Sequence, residues 1–332
     1  MTVNETLATY SNYLVYGAMA AYTVAMIAFA VSFAAMRGRD LVPASSTVGG
    51  PETDNGSLAV ATKVSTAVGG PDDGALPPGR RAGNIGMSTT WLGTILLGAA
   101  VLLRGLSVGR APWGNMCEFS MTSAFAIALT FCLMSLRRDL RWLGVFVVTP
   151  VLLILGAAMT FLYTEAAQLV PALKSYWLVI HVSAAMICGA AFCIGATVTL
   201  LFLVADASER RHAVGRTYPL DWLAARLPES ARLDAMAYRI HAFMFPLWTF
   251  AIVAGAIWAE NAWGRYWGWD PKETWAFITW VAYAAYLHAR ATVGWKGRKA
   301  SVVALAAFGC FLFNYFGVNM LITGLHSYAG VK

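Results

Sequence analysis

Runs of about 20 apolar residues recur along this chain, and they restrict its fold more than any other feature of the sequence. An α-helix of roughly 20 residues crosses a bilayer while satisfying its own backbone hydrogen bonds. Apolar residues make up 58% of the 332 positions and charged residues 12%, whereas soluble domains carry about 25% charged residues. The sequence therefore predicts an all-α fold, a polytopic membrane helix bundle.

Eight apolar segments have the length of a membrane span. We therefore expect about eight transmembrane helices, at residues 13–36, 91–109, 119–136, 142–162, 177–204, 241–259, 274–290 and 301–322.

Lysine and arginine are unequally divided between the two sets of connections. Basic residues close to a span are retained on the cytoplasmic side. With the N-terminus outside, 18 of the 24 basic residues fall on inner connections. We therefore expect a multi-pass protein of the cell (plasma) membrane with its N- and C-termini outside. The net charge of +7 is then explained by the membrane topology. Membrane lipid is an expected partner, and nucleic acid is not.

The chain divides into three parts by composition. Residues 1–36 form the first predicted helix, which we expect to be retained because no basic region precedes it. Residues 37–90 are rich in Gly, Pro, Ser, Thr and Asp, and are expected to form a flexible cytoplasmic loop. Residues 91–332 form the membrane domain, in which an external loop at 258–275 carries the most unusual composition.

This loop reads WAENAWGRYWGWDPKETW and holds five of the 13 tryptophans together with five charged residues. An interfacial aromatic belt would spread such residues over many helices. Their concentration in one loop suits a large flat ligand with an anionic edge, and haem is the candidate, with basic residues pairing with its propionates. The candidate contacts are Trp258, Trp263, Arg265, Tyr266, Trp267, Trp269, Asp270, Lys272 and Trp275.

Two histidines fall at the same predicted membrane face as this loop. His181 lies near the outer end of the fifth span and His326 just beyond the eighth. A single histidine of this kind is commonly an interface residue bonded to a backbone carbonyl. Two of them beside the tryptophans predict both axial ligands of a haem iron.

The other histidines are assigned by depth. His288 lies about thirteen residues into the seventh span, roughly 20 Å below the loop, and predicts a second, deeper iron site. His241 begins the sixth span, where a helix-end histidine reaching the interface is the favoured interpretation.

A further outer segment, RAPWGNMCEF, places Asn115 and Glu118 where the third span begins. Glu118 is either a carboxylate favoured by the helix dipole or a hydrogen-bond partner of a ligand histidine or the haem edge.

These motifs support a family resemblance over residues 90–332. WGRYWGWDPKETW, with LVPALKSYWLVIHV before it and YLHAR and GLHSYA after it, resembles the tryptophan-rich (WWD) haem-handling proteins of cytochrome c maturation. The match is to the CcsA/ResC type of the system II pathway, which some bacteria label CcsB. Cys117 departs from the family pattern, which commonly has tyrosine there.

The resemblance implies a function and a set of ligands. His181 and His326 would be the external ligands of haem b, and His288 a membrane ligand. A ResB-type membrane partner would supply the second membrane histidine. The chain would deliver and present haem for covalent attachment to the C-x-x-C-H motif of apocytochrome c, as the membrane subunit of a cytochrome c synthetase (haem-lyase) complex.

Two other functions remain open. One is a transporter of haem or another amphipathic solute with no role in ligation. The other is a di-haem electron-transfer subunit, which would need His241 and His288 as a deep ligand pair.

Overall fold

The structure, a computed structural model, describes residues 3–38, 78–166, 175–292 and 294–326. Within these ranges the regular elements are helices and no β-strand is present, which confirms the all-α prediction. In chain order the helices are α1 (Glu5–Ala35), α2 (Arg80–Val108), α3 (Met116–Ser135), α4 (Gly144–Thr160), α5 (Tyr176–His212), α6 (Asp221–Ala224), α7 (Ser230–Trp263), α8 (Pro271–Ala291), α9 (Arg298–Leu312) and α10 (Val318–Leu321).

Eight of these helices are long, and each overlaps one of the eight predicted spans; the last span, 301–322, covers most of α9 and continues through α10. Seven described helices are long and apolar enough to cross a membrane, counting α9 together with α10 as one. The remaining long helix is α8, whose 21 residues begin with Lys272 and Glu273 in the first turn and include His288 and Arg290 near the end. The protein is therefore a polytopic membrane bundle in which α8 is the least apolar long helix.

The helices extend beyond the apolar runs that predicted them. α2 begins at Arg80, inside the segment expected to be a loop, and α7 begins at Ser230, eleven residues before the predicted start. Hydropathy finds only the part of a helix that lies in hydrocarbon, whereas backbone hydrogen bonding continues into polar sequence. Of the predicted flexible loop, residues 39–77 lie outside the described residues.

Helix α5 joins two packed groups of helices. On one side it packs with α1 to α4 around a core that includes Tyr22, Phe29 and Phe131. On the other side it packs along α7, and together with α8 and α9 these helices enclose a smaller core around Phe192 and Trp248. His181 and His288 lie on helices of this second group, and His326 follows α10.

The turn between α7 and α8 is shorter than the predicted external loop. α7 continues to Trp263 and ends at Gly264, whose φ of 70° is a left-handed conformation that glycine adopts without steric cost. α8 begins after Asp270, with Pro271 in its first turn and a capping box closed by Glu273. The turn proper is therefore residues 264–270, because the flanking tryptophans are already helical.

Candidate functional site

His181 and His326 lie on the same cavity. The cavity has a volume of about 190 Å³ and is lined by both imidazoles and by Trp258. The ring of Trp258 is nearly parallel to that of His181, with centroids 6.2 Å apart, and lies 5.7 Å from the ring of His326. The structure thus brings together two histidines that are 145 residues apart in the sequence.

The tautomer of His181 is set by a backbone carbonyl. Its Nδ1–H donates to the carbonyl oxygen of Ala251 at 2.7 Å. The proton is therefore on Nδ1, and Nε2 carries the lone pair that a metal would use. The close approach depends on Gly255, since a Cβ at that position would lie 2.7 Å from the ring.

Asp270 orients His326. Its Oδ1 accepts from His326 Nδ1 at 2.6 Å, and its Oδ2 accepts from the backbone N–H of Leu325 at 2.7 Å. The same carboxylate also caps α8, because Oδ1 accepts from the backbone N–H of Lys272 at 3.2 Å. A carboxylate on Nδ1 is the usual means of directing Nε2 of a histidine toward a metal.

The contacts of Asp270 also determine its ionisation. Burial raises the pKa of this carboxyl group, but the hydrogen bond and charge of His326, with the N–H groups of Leu325 and Lys272, outweigh burial. The pKa of Asp270 therefore lies below its ordinary value of 3.8. Asp270 is ionised at neutral pH and forms a charge-assisted hydrogen bond with His326.

The residues predicted in the tryptophan-rich segment fall into two groups. Trp258, Trp263, Tyr266, Trp267 and Lys272 line the cavity. The residues outside its lining are Arg265, Trp269, Asp270 and Trp275.

Each of the two tryptophans outside the lining has another environment. Trp269 is 66% exposed and has a φ of 58°, a left-handed conformation that is rare for a bulky residue. Trp275 packs against Phe313 with ring centroids 4.2 Å apart. The sequence could not separate these roles, because indole composition does not reveal which face of a turn a side chain occupies.

Arg265 and Lys272, both predicted to pair with propionates, differ in their surroundings. The guanidinium of Arg265 covers Gly268, in space that a Cβ would fill, and lies 3.7 Å from the Glu273 carboxylate. Lys272 lines the cavity and takes part in none of the salt bridges found between described residues. Lys272 is therefore the better placed cation for an anionic ligand in the cavity.

Asn115 and Glu118 hold the adjoining wall. Asn115 lines the cavity, and its side chain caps α3 by accepting from the Glu118 N–H at 2.8 Å. The buried Glu118 carboxylate instead contacts Arg104 at 3.3 Å and Arg110 at 2.8 Å. In the structure Glu118 therefore bonds arginines, and the carboxylate beside His326 belongs to Asp270.

The two deeper histidines are separated by α8. His288 is exposed on one face of α8, whereas His241 is 0% exposed and contacts Tyr283 and Tyr286 on the other. The interpretation of His241 as an interfacial helix-end residue is wrong, because α7 extends well beyond it toward Ser230. The pair that a di-haem electron-transfer subunit would require is not formed.

Several cavity residues could not be predicted from the sequence. Trp113, Trp248, Asn314, Tyr315 and Asn319 line the cavity from α7, the segment after α9 and the turn before α3. Each lies in or beside an apolar run, where aromatic and small polar residues are common, so composition alone carried no signal.

Known proteins resemble this chain in sequence and in fold. The family model described as "Cytochrome C assembly protein" matches residues 113–326. The "Cytochrome c biogenesis protein CcsA" of Guillardia theta is 37% identical over 258 residues, which cover 74% of this chain and 85% of that protein. The protein of the same name from Parasynechococcus marenigrum is 38% identical over 259 residues, covering 71% and 84%.

The fold is also similar to that of a solved structure. "Cytochrome c Heme Lyase CcmF" matches with a TM-score of 0.61 at 15% identity, over 95% of this chain. The chain spans about half the length of that protein, 47%. From the sequence matches, the chain belongs to the cytochrome c assembly protein family and is of the CcsA type.

Proposed function

We propose that this chain acts in cytochrome c biogenesis by receiving haem within the membrane and presenting it for covalent attachment to apocytochrome c. The observation that carries the proposal is the position of His181 and His326 on one cavity, each with its ring in contact with Trp258. Haem is the cargo of this site, and it is held for transfer.

The chemistry of the cavity fits a haem iron. Two imidazoles can provide both axial ligands, and in each the Nδ1 contact assigns ligation to Nε2. Trp258, Trp263 and Trp267 offer aromatic faces to the macrocycle, and Lys272 offers a cation to a propionate.

Attachment joins two cysteine thiols of the acceptor to the two haem vinyl groups. In each addition the sulfur bonds one vinyl carbon and the thiol hydrogen goes to the other, so no oxidant is consumed. The reaction needs reduced thiols and ferrous haem, and axial histidines stabilise the bound iron and tune its potential. The histidine of the C-x-x-C-H motif would then displace one of the two ligands.

We further propose a deeper site that a second chain completes. His288 lies on an exposed face of α8, near its end distant from the tryptophans. A ResB-type partner that packs on this face would supply the other ligand.

The excess of basic residues at the opposite connections favours a plasma-membrane orientation in which the cavity faces outward.

Replacing both cavity ligands tests the proposal. His181→Gly combined with His326→Gly removes both imidazoles, and we expect haem at the outer site to fall to background. Haem per protein is measured as pyridine haemochrome on chain purified from its native membrane, with the Soret band as a second readout. A double variant with a normal Soret band contradicts the assignment.

The matched control is His212→Gly. His212 contacts Asp221 at 2.9 Å, and the cavity lining does not include it. We expect normal haem in this variant.

Cytochrome c maturation in a strain lacking the chain separates a biogenesis protein from a transporter, since only the former is required for attachment.

A further inference from the structure

A second cavity lies at the opposite end of α3 from the cavity that holds the two histidines. It forms where the start of α2, the end of α3 and the segment 136–141 meet, and its volume is about 330 Å³. The histidine cavity is lined instead by residues at the start of α3. The 20 residues of α3 therefore separate the two cavities by about 30 Å of helix.

Four arginines line this second cavity, named the arginine cavity: Arg80, Arg137, Arg138 and Arg141. Asp139 is the one carboxylate among the described residues that line it, and it pairs with Arg141 at 2.7 Å. The other three arginines take part in none of the salt bridges found between described residues. Four guanidinium groups against one carboxylate leave an excess of three positive charges.

Two other groups of arginines at this end of the bundle face carboxylates of the chain itself. Asp206, near the end of α5, pairs with Arg210 at 2.9 Å and with Arg298 at 2.6 Å. Asp234, near the start of α7, pairs with Arg290 at 2.7 Å. At the arginine cavity the chain supplies fewer carboxylates than guanidinium groups, and like charges brought together repel one another. An anionic ligand would relieve this repulsion.

Packing against α2 fixes the Arg141 side chain. A Cβ at Gly83 would lie 2.9 Å from Cδ of Arg141, so this side chain lies closely against the helix. Nε of Arg141 is buried and has no hydrogen-bond partner among the described residues. A buried donor without a partner is costly. The arginine cavity is therefore lined by a guanidinium group that is held in position and still has an unused donor.

Exposed apolar side chains adjoin the arginines. Leu136 lines the arginine cavity and is 68% exposed, and Leu133, one turn earlier on α3, is 51% exposed. Both lie at the end of a helix that is long and apolar enough to cross a membrane. Guanidinium groups beside an exposed apolar surface match the two parts of a phospholipid, its phosphate and its acyl chains.

We propose that the arginine cavity binds the phosphate of an anionic phospholipid, whose acyl chains lie along Leu133 and Leu136. Arginine suits this ligand because its forked N–H donors match the oxygens of a phosphate. In the orientation proposed above, this end of the bundle meets the cytoplasmic leaflet, and basic pockets between helices on that side bind anionic headgroups. The bound lipid neutralises the arginines and joins α2 to the connection between α3 and α4.

Lipid binding to the purified chain tests the proposal. Arg137→Gln combined with Arg138→Gln removes two of the four guanidinium groups. Each basic group near a lipid surface contributes about fivefold to affinity, so we expect phosphatidylglycerol to bind about 25-fold more weakly. Affinity is measured by native mass spectrometry, as the lipid is titrated into delipidated chain in detergent. An affinity equal to that of the wild type overturns the proposal.

The matched control removes two arginines from the same end of the bundle. Arg216 and Arg239 are exposed and do not line the arginine cavity. Arg216→Gln combined with Arg239→Gln lowers the net charge by the same amount, and we expect wild-type affinity. An equal loss in the two double variants would show that net charge alone attracts the lipid, which contradicts a defined site.

Two competing compounds identify the part of the ligand that is recognised. Glycerol 3-phosphate has the phosphate without acyl chains, and phosphatidylcholine has acyl chains without a net charge. We expect both to displace phosphatidylglycerol much less effectively than an unlabelled copy of the same lipid does. Equal displacement by glycerol 3-phosphate would assign the cavity to a free phosphate compound, and equal displacement by phosphatidylcholine would show that charge is not recognised. Either result overturns the proposal.

Haem content separates this inference from the proposed function. Since the histidine cavity lies at the other end of α3, we expect the glutamine double variant to keep wild-type haem per protein while it loses lipid affinity. A folded variant that loses haem as well would place the arginines on the path of haem, whose propionates are also anionic, and would overturn the lipid assignment.

Lysine variants keep the test decisive where the glutamine double variant does not fold. Arg137→Lys combined with Arg138→Lys keeps both charges and removes the forked donors, so we expect a several-fold loss of lipid affinity. Arg216→Lys combined with Arg239→Lys is expected to bind as the wild type does. Equal affinity in the two lysine variants contradicts the proposal.

Discussion

Asp270 connects the secondary structure of the tryptophan turn to the ligand geometry of His326. The same carboxylate caps α8, accepts from the N–H of Leu325 and orients the imidazole. Asp270 and His326 are 56 residues apart in the sequence. The Asp270–Pro271 pair is typical of a helix start, but no local pattern predicted which distant side chain would bond to the cap carboxylate.

The charge of Asp270 can be removed without removing its shape. In Asp270→Asn the amide oxygen can still cap α8 and accept from His326, since asparagine is as good a cap as aspartate, whereas the NH2 group in place of Oδ2 no longer accepts from the Leu325 N–H. The bond to His326 loses its charge, and such partners typically contribute 10- to 100-fold to metal affinity. We expect haem affinity, measured by absorbance titration, to fall by about that factor. An affinity equal to wild type contradicts this role, and Asp139→Asn at an exposed ion pair is the control.

Asp270 also predicts a pH dependence. Because its pKa is lower in the folded state than its ordinary value of 3.8, its stabilising effect is complete above that value and is lost as pH falls through the lower pKa. The difference in thermal stability between wild type and Asp270→Asn should stay constant from neutral pH down to about pH 5 and disappear in stronger acid. A difference that disappears near pH 6 would assign the effect to another group.

The candidate ligands show which features of single residues could be predicted from the sequence. Depth along the predicted spans placed His181 and His326 at the same face, and the structure has them on one cavity. The sequence could not show that His241 lies inside a helix, because the first residues of α7 are polar and hydropathy does not detect them. Nor could it show that Glu118 forms ion pairs with Arg104 and Arg110, since those contacts depend on the tertiary fold.

At the scale of secondary structure, the sequence predicted the helices better than their ends. All eight long helices were predicted, because each contains an apolar run that needs a membrane or a core. Their ends were predicted less well, and the clearest case is α7, which begins eleven residues before the predicted span and continues four residues past it, to Trp263. A helix ends where its local hydrogen-bond pattern ends, and this point differs from the residue at which the composition becomes polar.

The α5–α7 approach at Gly255 makes a prediction of its own. Gly255→Ala puts a methyl group against the His181 ring, which must move away from its bond to Ala251. We expect roughly tenfold weaker haem binding, about 1.4 kcal/mol, in the same titration. Gly156→Ala in α4 is the matched control, because a Cβ at that position would have no neighbouring atom within 4 Å. Equal haem affinity in the two variants would show that the Gly255 contact does not hold the ligand.

In the whole molecule, the cavity is formed by only part of the helix bundle. The cavity lies between the start of α3, α5, α7, α8 and the segment after α9, whereas α1, α2 and α4 contribute none of its lining residues. The family match covers residues 113–326 and so leaves out α1 and α2. The part of the chain that carries the cavity is therefore the part shared with the family.

Orientation in the membrane is testable by labelling. Tyr266 in the tryptophan turn is 61% exposed, and Arg216 between α5 and α6 is exposed at the other end. We expect a membrane-impermeant maleimide to label Tyr266→Cys in intact spheroplasts, and Arg216→Cys only after lysis, because basic connections stay inside. The reverse pattern would place the cavity on the cytoplasmic side.

A structure of the chain loaded with haem would show whether the two histidines hold the iron. We expect one macrocycle in the cavity, with its iron bound by Nε2 of His181 on one side and Nε2 of His326 on the other. Iron bound by neither histidine, or haem bound away from Trp258 with both imidazoles unligated, would contradict it.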